Sequence, residues 1–181
     1  DEVYQFLNYS DDPVPSMGTL NHICPVISLG SFSKILAPGL RLGWMHTSPS
    51  LVKKMAGSGL LTSGGGFNPF TSEIVNSAIR LGFLRTHIRK LKTVYRQRIE
   101  IFCDHLKEYL PGHVVFEVPE GGYFIWVRFP DDVDTNSFRE AARKQNVDFH
   151  PGSLFSHRKE LKNYMRLSFA FYDNMILAEG A

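Results

Sequence analysis

The feature that most constrains the fold of this chain is a strand, turn and strand pattern in residues 25–46. Residues 25–32 form a short run rich in β-forming residues, and residues 40–45 form a second apolar run. Between the two runs the sequence Ala-Pro-Gly, at residues 37–39, is typical of a turn. The pattern predicts two strands with a tight connection, and it places Lys34 at the end of the first strand, facing a cleft.

Lys34 is surrounded in the sequence by groups that suit a phosphorylated aldehyde. The amine of a lysine side chain condenses with a carbonyl group to form a Schiff base. Ser31, Ser33 and Arg41 stand close by, and hydroxyl and guanidinium groups are donors that satisfy phosphate oxygens. Because pyridoxal 5'-phosphate needs an amine and phosphate donors together, the stretch predicts a site for this cofactor.

The sequence from Ser31 to Trp44 reads Ser-Phe-Ser-Lys-x-x-x-Pro-Gly-Leu-Arg-Leu-Gly-Trp. It resembles the cofactor-lysine segment of the fold-type I, pyridoxal-phosphate-dependent aminotransferases of class I/II, in the branch of the aminoadipate, kynurenine and aromatic aminotransferases. Further segments resemble that family in the same order: Asp-Glu-Val-Tyr from residue 1, Gly-Gly-Tyr-Phe-Ile-Trp-Val from residue 121 and Tyr-Met-Arg-Leu-Ser-Phe-Ala from residue 164. The resemblance covers nearly all 181 residues.

The resemblance implies roles around the ring of the cofactor. Lys34 is expected to form the internal aldimine and to move the proton between the amino acid and the cofactor. Asp1 is expected to pair with the protonated pyridine nitrogen, which keeps the ring able to accept electrons. Tyr4 is expected to donate to the phenolate oxygen of the cofactor.

The resemblance also implies which residues bind the phosphate and the substrate. Ser31, Ser33 and Arg41 are expected to hold the phosphate, and Arg166 is expected to bind the substrate α-carboxylate in a bidentate pair. Each residue taken singly has an ordinary structural explanation, such as an N-cap for Asp1 or the polar face of a strand for either arginine. Their occurrence in family order with matching neighbours favours the functional interpretation.

The fold implied by the resemblance is α/β, the carboxyl-terminal half of a fold-type I pyridoxal-phosphate-dependent transferase. Residues 1–110 are expected to form part of the large, cofactor-binding domain with the interdomain helix, and residues 111–181 the small domain. Strands are predicted near residues 1–6, 24–32, 40–46, 114–118, 122–128, 147–150 and 164–169. Helices are predicted at residues 49–55, after an N-cap at Thr71 in two segments joined near Gly82, at residues 135–145, and after an N-cap at Asp173. Residues 151–155 resemble a family turn that faces the substrate.

The function implied by the resemblance is a pyridoxal-phosphate-dependent aminotransferase of class EC 2.6.1. Such an enzyme moves an amino group from an α-amino acid to a 2-oxo acid by a ping-pong mechanism. It is expected to act as a homodimer in the cytoplasm, with mitochondria as the alternative. Because roughly half of the family's length precedes the position of Asp1, the chain is expected to be a fragment that is inactive alone.

Two other functions remain open from the residues. The same site residues serve lyases of this fold, and some bacterial transcription regulators carry an aminotransferase-like half behind a winged-helix DNA-binding domain. The resemblance also bears on the substrate. Relatives specific for dicarboxylates carry an arginine in the loop just before the Asn-Pro pair that corresponds to Asn68-Pro69. In this chain the same loop reads Ser63-Gly64-Gly65-Gly66 and contains no arginine. Aspartate is therefore not expected to be the main substrate.

Composition excludes several other classes of protein. The chain is 43% hydrophobic and 13% aromatic, which is typical of a globular protein rather than a disordered one. It contains no continuous apolar run of the roughly 18 residues that a membrane span needs. A net charge of +2 gives no argument for nucleic acid. Cys24 and Cys103 are far apart, and the histidines show no metal-ligand spacing, so neither a disulfide nor a metal site is predicted.

Overall fold

A computed structural model of the chain describes residues 1–10, 12, 14–62 and 66–181. These residues form two compact units, Asp1–Lys92 and Thr93–Ala181, and each is described by itself. The predicted domain boundary between residues 110 and 111 stays a prediction. Within the described part of the chain, no helix combines the length and the apolar character that crossing a bilayer requires.

The first unit contains an antiparallel hairpin. Strands β1 (Ser28–Ser31) and β2 (Gly43–His46) pair with Gly30 opposite Trp44. A Cβ atom at residue 30 would lie 2.1 Å from atoms of the Trp44 ring, so only glycine allows this ring to lie across the strand. The ring also packs on Phe32, with the centroids 4.7 Å apart. The predicted strand, turn and strand pattern is confirmed, with both strands shorter than predicted.

The segment before the hairpin is not the strand that the sequence predicted for residues 1–6. It forms turns and a 3-10 helix at Gln5–Leu7, followed later by a second 3-10 helix at Met17–His22. The N–H of Gln5 donates to the Glu2 carbonyl oxygen and the N–H of Leu7 to that of Tyr4, so these groups bond locally instead of in a sheet. The prediction of a strand here was wrong.

The hairpin is followed by helices α1 (Pro49–Ala56), α2 (Gly59–Thr62) and α3 (Pro69–Arg80). Helix α1 confirms the helix predicted at residues 49–55. Helix α3 begins after Asn68 rather than after Thr71, because a proline suits the first position of a helix. Ser63, Gly64 and Gly65, which belong to the glycine-rich loop considered for substrate preference, lie outside the described residues.

A long helix, α4 (Phe83–Tyr109), follows α3. Gly82, between the two helices, has a φ of 75°, a left-handed conformation that glycine adopts without strain. The predicted joint near Gly82 is therefore confirmed. The carboxyl-terminal half of α4 buries a stripe at helical spacing, consisting of Ile99, Phe102, Cys103 and Leu106.

The second unit contains a four-stranded antiparallel sheet in the order β3–β4–β6–β5. Its strands are β3 (Val115–Phe116), β4 (Phe124–Arg128), β5 (His150–Pro151) and β6 (Tyr164–Ser168). On β4, Ile125 and Val127 are fully buried, and they lie opposite Leu167 and Met165 of β6. The other face of these two strands carries Phe124, Trp126, Arg128, Tyr164 and Arg166. The strands predicted at residues 114–118, 122–128 and 164–169 are confirmed in shorter form, whereas the strand predicted at residues 147–150 overlaps β5 only at His150.

The remaining elements of the second unit flank this sheet in sequence. The helix predicted at residues 135–145 is a 3-10 helix at Thr135–Phe138 that continues as α5 (Arg139–Lys144). Helix α6 (Asn174–Glu179) begins after Asp173, whose Oδ1 accepts the N–H of Ile176 at 3.1 Å, so the predicted N-cap is confirmed. Both cysteines are free, and burial raises the pKa of the Cys103 thiol to about 11.

The ion pairs of Asp148 give the second unit a testable acid dependence. The Asp148 carboxylate accepts from Nε of Arg139 and from Nη2 of Arg143, each at 2.9 Å, and these bonds hold its pKa well below the usual range. A lowered folded-state pKa contributes stability that is present above the unfolded pKa of about 4 and is lost as the pH falls through the folded value.

We expect Asp148→Asn to lower the Tm of the full-length protein by only a few degrees near neutral pH, because the carboxylate is half-exposed. The variant should also lose less stability than the wild type between about pH 4 and pH 2. Circular dichroism melts over this range measure both effects. Asp131→Asn is the control, since this exposed carboxylate accepts from one arginine, Arg128, and from the side-chain amide of Asn163. Equal pH slopes for wild type and Asp148→Asn would contradict the assignment.

Candidate active site

Lys34 lies in the connection that follows β1, within a tight turn. The carbonyl oxygen of Phe32 accepts the N–H of Leu36 at 2.8 Å and that of Ala37 at 3.2 Å, so the turn closes on one acceptor. Ile35, next to the lysine, is only 1% exposed and anchors the turn in the core of the first unit. Lys34 itself is half-buried and lies three residues after the end of β1.

The same connection brings together the residues predicted to bind phosphate. The backbone N–H of Ser33 donates to Oγ of Ser31 at 3.2 Å. Nη1 of Arg41 lies 3.5 Å from Oγ of Ser33 and donates to the carbonyl oxygen of Pro38 at 3.2 Å. Ser31 at the end of β1, and Ser33 and Arg41 in the connection that contains Lys34, are therefore linked by these hydrogen bonds. This donor set fits a phosphate group.

The backbone of Arg41 explains how its side chain reaches the serines. The residue follows a 3-10 helix at Pro38–Leu40 and has φ 50° and ψ 40°, the left-handed conformation. A non-glycine residue in this conformation costs about 1–2 kcal/mol, and such strain is concentrated at functional sites. The left-handed residue reverses the chain into β2 and leaves the Arg41 guanidinium beside Ser33.

The segment with Asp1 and Tyr4 is fastened to the hairpin by Glu2. The N–H of Glu2 donates to the carbonyl oxygen of Leu29 at 2.8 Å. Its carboxylate accepts Oγ of Ser16 at 2.8 Å and the N–H of Met17 at 2.5 Å. Burial acts to raise the pKa of Glu2, but the hydrogen bonds outweigh burial and hold it below the ordinary value.

This fastening role of Glu2 was missed in the sequence. Glu2 stands between two residues of the family motif, and nothing in the local pattern distinguishes it from a solvated glutamate. Asp1 is exposed, with its Oδ1 accepting the N–H of Val3 at 3.3 Å, and Tyr4 is half-buried. The hydrogen bonds of Glu2 place both residues on the segment next to β1.

Arg166 belongs to the second unit. It lies on β6, opposite Trp126 of β4 on one side and His150 of β5 on the other. Its guanidinium carbon lies over two aromatic rings, 3.8 Å from the centroid of Phe124 and 4.5 Å from that of Phe155. The predicted site residues thus fall into two groups, one in each unit.

Phe155 ends a 3-10 helix at Gly152–Phe155, directly after β5. This is the turn that the sequence related to a substrate-facing turn of the family. Gly152 permits the close approach of the chain here, since a Cβ atom would lie 2.3 Å from the carbonyl oxygen of Leu161. The contact of Phe124 with Arg166 was missed. Alternation along β4 predicts that Phe124 and Trp126 lie on one face of the sheet. That Arg166 lies on the same face follows only from the register between β4 and β6, which pairs Arg166 with Trp126.

Comparison with known proteins identifies the family. The sequence profile of the family described as Aminotransferase class I and II matches residues 1–180. The chain belongs to this family. Aromatic-amino-acid aminotransferase 1 of Thermococcus litoralis is 34% identical to the chain over 184 residues, which cover 99% of the chain and 43% of that relative.

Solved structures of the aminotransferase family confirm the fold-type I, α/β architecture. The chain matches the crystal structure of Pyrococcus horikoshii kynurenine aminotransferase in complex with PMP, KYN as substrates and KYA as products. The TM-score is 0.87 at 36% identity, and the match covers 98% of the chain and 44% of that structure. The chain thus spans less than half the length of the aminotransferases that it matches.

A relative of another kind is also similar to this aminotransferase-family chain. The HTH-type transcriptional regulator NorG of Staphylococcus aureus is 29% identical over 175 residues, which cover 96% of the chain and 38% of the regulator. The chain is therefore similar both to proteins named as aminotransferases and to a protein named as a transcriptional regulator.

Proposed function

We propose that the full-length protein is a pyridoxal-phosphate-dependent aminotransferase that moves an amino group from an α-amino acid to a 2-oxo acid. The observation that carries this proposal is the grouping of Lys34 with Ser31, Ser33 and Arg41 in one connection of the hairpin. Support comes from relatives named as aminotransferases and from the solved structure that contains PMP.

Pyridoxal phosphate, when bound, supplies an electron sink for the negative charge that develops at Cα of the amino acid. Nζ of Lys34 would hold the cofactor and would carry the proton that leaves the substrate Cα. Oγ of Ser31, Oγ of Ser33 and the Arg41 guanidinium would hold the phosphate. On the same unit, the Asp1 carboxylate would hold the pyridine nitrogen, and the Tyr4 hydroxyl would donate to the phenolate oxygen.

Arg166 binds the substrate in this proposal. A guanidinium can bind a carboxylate through two parallel hydrogen bonds, which fixes the orientation of the amino acid as well as its position. Correct orientation of the Cα–H bond toward the base contributes much of the rate of such a reaction. The names of the relatives support a large substrate side chain rather than that of aspartate. As in the family, the active form is a homodimer, and we place it in the cytoplasm.

Steady-state kinetics of the full-length protein with pyridoxal phosphate tests the proposed reaction. The concentration of an aromatic amino acid is varied at several fixed concentrations of 2-oxoglutarate. We expect parallel lines in the double-reciprocal plots, which are typical of a ping-pong mechanism. The specificity constant for the aromatic amino acid should exceed that for aspartate. Release of ammonia or a β-substituent without transfer to the oxo acid would instead identify a lyase.

The similarity to NorG favours a second candidate, in which this chain is the ligand-binding half of a transcription regulator. A regulator of this kind reads DNA through a helix in the major groove, which a separate domain would have to supply. Electrophoretic mobility shifts with the DNA upstream of the gene distinguish the two candidates. Sequence-specific binding with negligible turnover supports the regulator, and rapid turnover without DNA binding supports the enzyme.

A further inference from the structure

Arg166 is placed unlike the other arginines of its sheet and of α5. The guanidinium groups of Arg128, Arg139 and Arg143 each pair with an aspartate at 2.9–3.1 Å. Within the described part of the second unit, the Arg166 guanidinium has no hydrogen-bond acceptor or carboxylate partner, and it lies over two aromatic rings. Its in-plane N–H groups therefore have no acceptor from the described residues of this unit.

The two rings that contact Arg166 come from the two sides of its strand. Phe124 lies on β4 and Phe155 follows β5, and β6 runs between these two strands. Both ring centroids lie within the range of about 6 Å in which a guanidinium interacts favourably with an aromatic face. A cation held over a ring face keeps its edge open, and the edge carries all five donors of the group.

We propose that Phe124 and Phe155 are positioning residues that orient the Arg166 guanidinium so that its N–H edge receives the substrate α-carboxylate. This inference rests on the proposed function of Arg166. The rings restrict the rotation of the guanidinium before the substrate arrives. Less conformational freedom is then lost when the two hydrogen bonds form, which strengthens binding.

The rings also provide this orientation without competing for the ligand. An aspartate next to Arg166 would occupy the same N–H edge that the substrate needs, whereas a phenyl ring has no acceptor oxygen. The trio of Arg166, Phe124 and Phe155 therefore combines a fixed cation with open donors. An open guanidinium edge suits a carboxylate whose two oxygens accept two parallel N–H donors in the plane of the guanidinium.

The test uses Phe124→Leu and Phe155→Leu in the full-length protein, because leucine keeps apolar volume but removes the π face. Each variant should raise the KM for the amino acid about 3- to 30-fold with kcat nearly unchanged. The dissociation constant for pyridoxal phosphate, measured by absorbance titration, should stay the same. Phe155→Tyr keeps a ring face and should retain most of the wild-type KM.

The matched control is Phe138→Leu. Phe138 is 40% exposed, close to the 44% of Phe155, and its ring packs on Phe129 rather than on an arginine. This control should leave KM unchanged. Phe155 is partly exposed, so Phe155→Leu should leave the stability of the protein nearly unchanged. The KM of this variant therefore tests the positioning of Arg166 even if Phe124→Leu lowers stability.

Repeating Phe155→Leu in an Arg166→Lys variant distinguishes an effect of the ring on the Arg166 guanidinium from an effect of the ring on packing in general. A lysine ammonium presents no planar fork, so Phe155→Leu should add little to the effect of Arg166→Lys. An unchanged KM in Phe155→Leu, a full additional effect in the lysine background, or a weakened affinity for pyridoxal phosphate would each overturn the proposal. If the protein shows no transamination at all in the wild type, the proposed function fails instead, which these variants do not decide.

Discussion

Replacing Lys34 by alanine in the full-length protein is expected to reduce amino-group transfer by at least about 10²–10⁴-fold, the contribution typical of a general base alone. The loss should be larger still, because the same amine is also proposed to attach the cofactor. Serine hydroxyls and Arg41 remain in the variant, so it should still bind pyridoxal phosphate, although without a covalent link.

Borohydride reduction followed by peptide mass spectrometry measures the covalent link directly. In the wild type, the phosphopyridoxyl label should lie on Lys34 at close to one equivalent per chain. Lys54→Ala is a suitable control, since this lysine is exposed on α1 in the same unit, and it should keep both label and activity. A Lys34→Ala variant that retains a single stoichiometric label would show that another lysine holds the cofactor.

Arg166→Ala is expected to lower kcat/KM for amino acids by about 10²–10³-fold, because truncating one partner of a hydrogen-bonded charge pair costs about 2–5 kcal/mol. Most of the effect should fall on KM, while affinity for pyridoxal phosphate stays unchanged. Arg128→Ala is the control on the same face of the same sheet, where the guanidinium pairs with Asp131 instead.

The comparison of an amino acid with the matching amine sharpens the Arg166 test. The amine lacks the α-carboxylate, so its reaction, where measurable, should be insensitive to Arg166→Ala. A variant that loses activity equally toward both compounds would show that Arg166 acts through the fold rather than through the carboxylate.

Much of the local structure of the first unit could be predicted because it depends on short-range features. The apolar runs on either side of Ala37-Pro38-Gly39 predicted the hairpin, and Gly82 predicted the joint between α3 and α4. The prediction for residues 1–6 was wrong because the apolar pattern of this segment fits a strand, while the N–H groups of Gln5 and Leu7 donate to carbonyl oxygens of the same segment. Local hydrogen bonding of this kind leaves no periodic signal.

The start of α3 shows a different limit of the sequence. Thr71 has a good N-cap side chain and precedes residues at helical spacing, but Pro69 allows the helix to begin two residues earlier, after Asn68. Where several neighbouring residues could each begin a helix, contacts with the rest of the chain decide which of them is the first residue. The existence of the helix was predictable and its first residue was not.

The site was predictable where its residues are neighbours in sequence. Ser31, Ser33 and Arg41 occur in one motif, and the structure brings them together. The surroundings of Arg166 depend on register between strands that are distant along the chain, and no single segment encodes that register. The role of Glu2 could not be predicted for the same reason, because its partners Ser16 and Met17 are far from it in sequence.

The short hairpin connection of the first unit has a consequence for the order in which the protein folds. The residues proposed to bind the phosphate, Ser31, Ser33 and Arg41, lie within residues 31–41, so their assembly requires closure of one short loop. Loops of this size close in about 10–100 ns and hairpins form in about 1–10 μs. Arg166, by contrast, gains its neighbours only when β4, β5 and β6 have paired across the second unit. Because chains emerge from the ribosome amino terminus first, we expect the surroundings of Lys34 to form in the nascent chain well before those of Arg166.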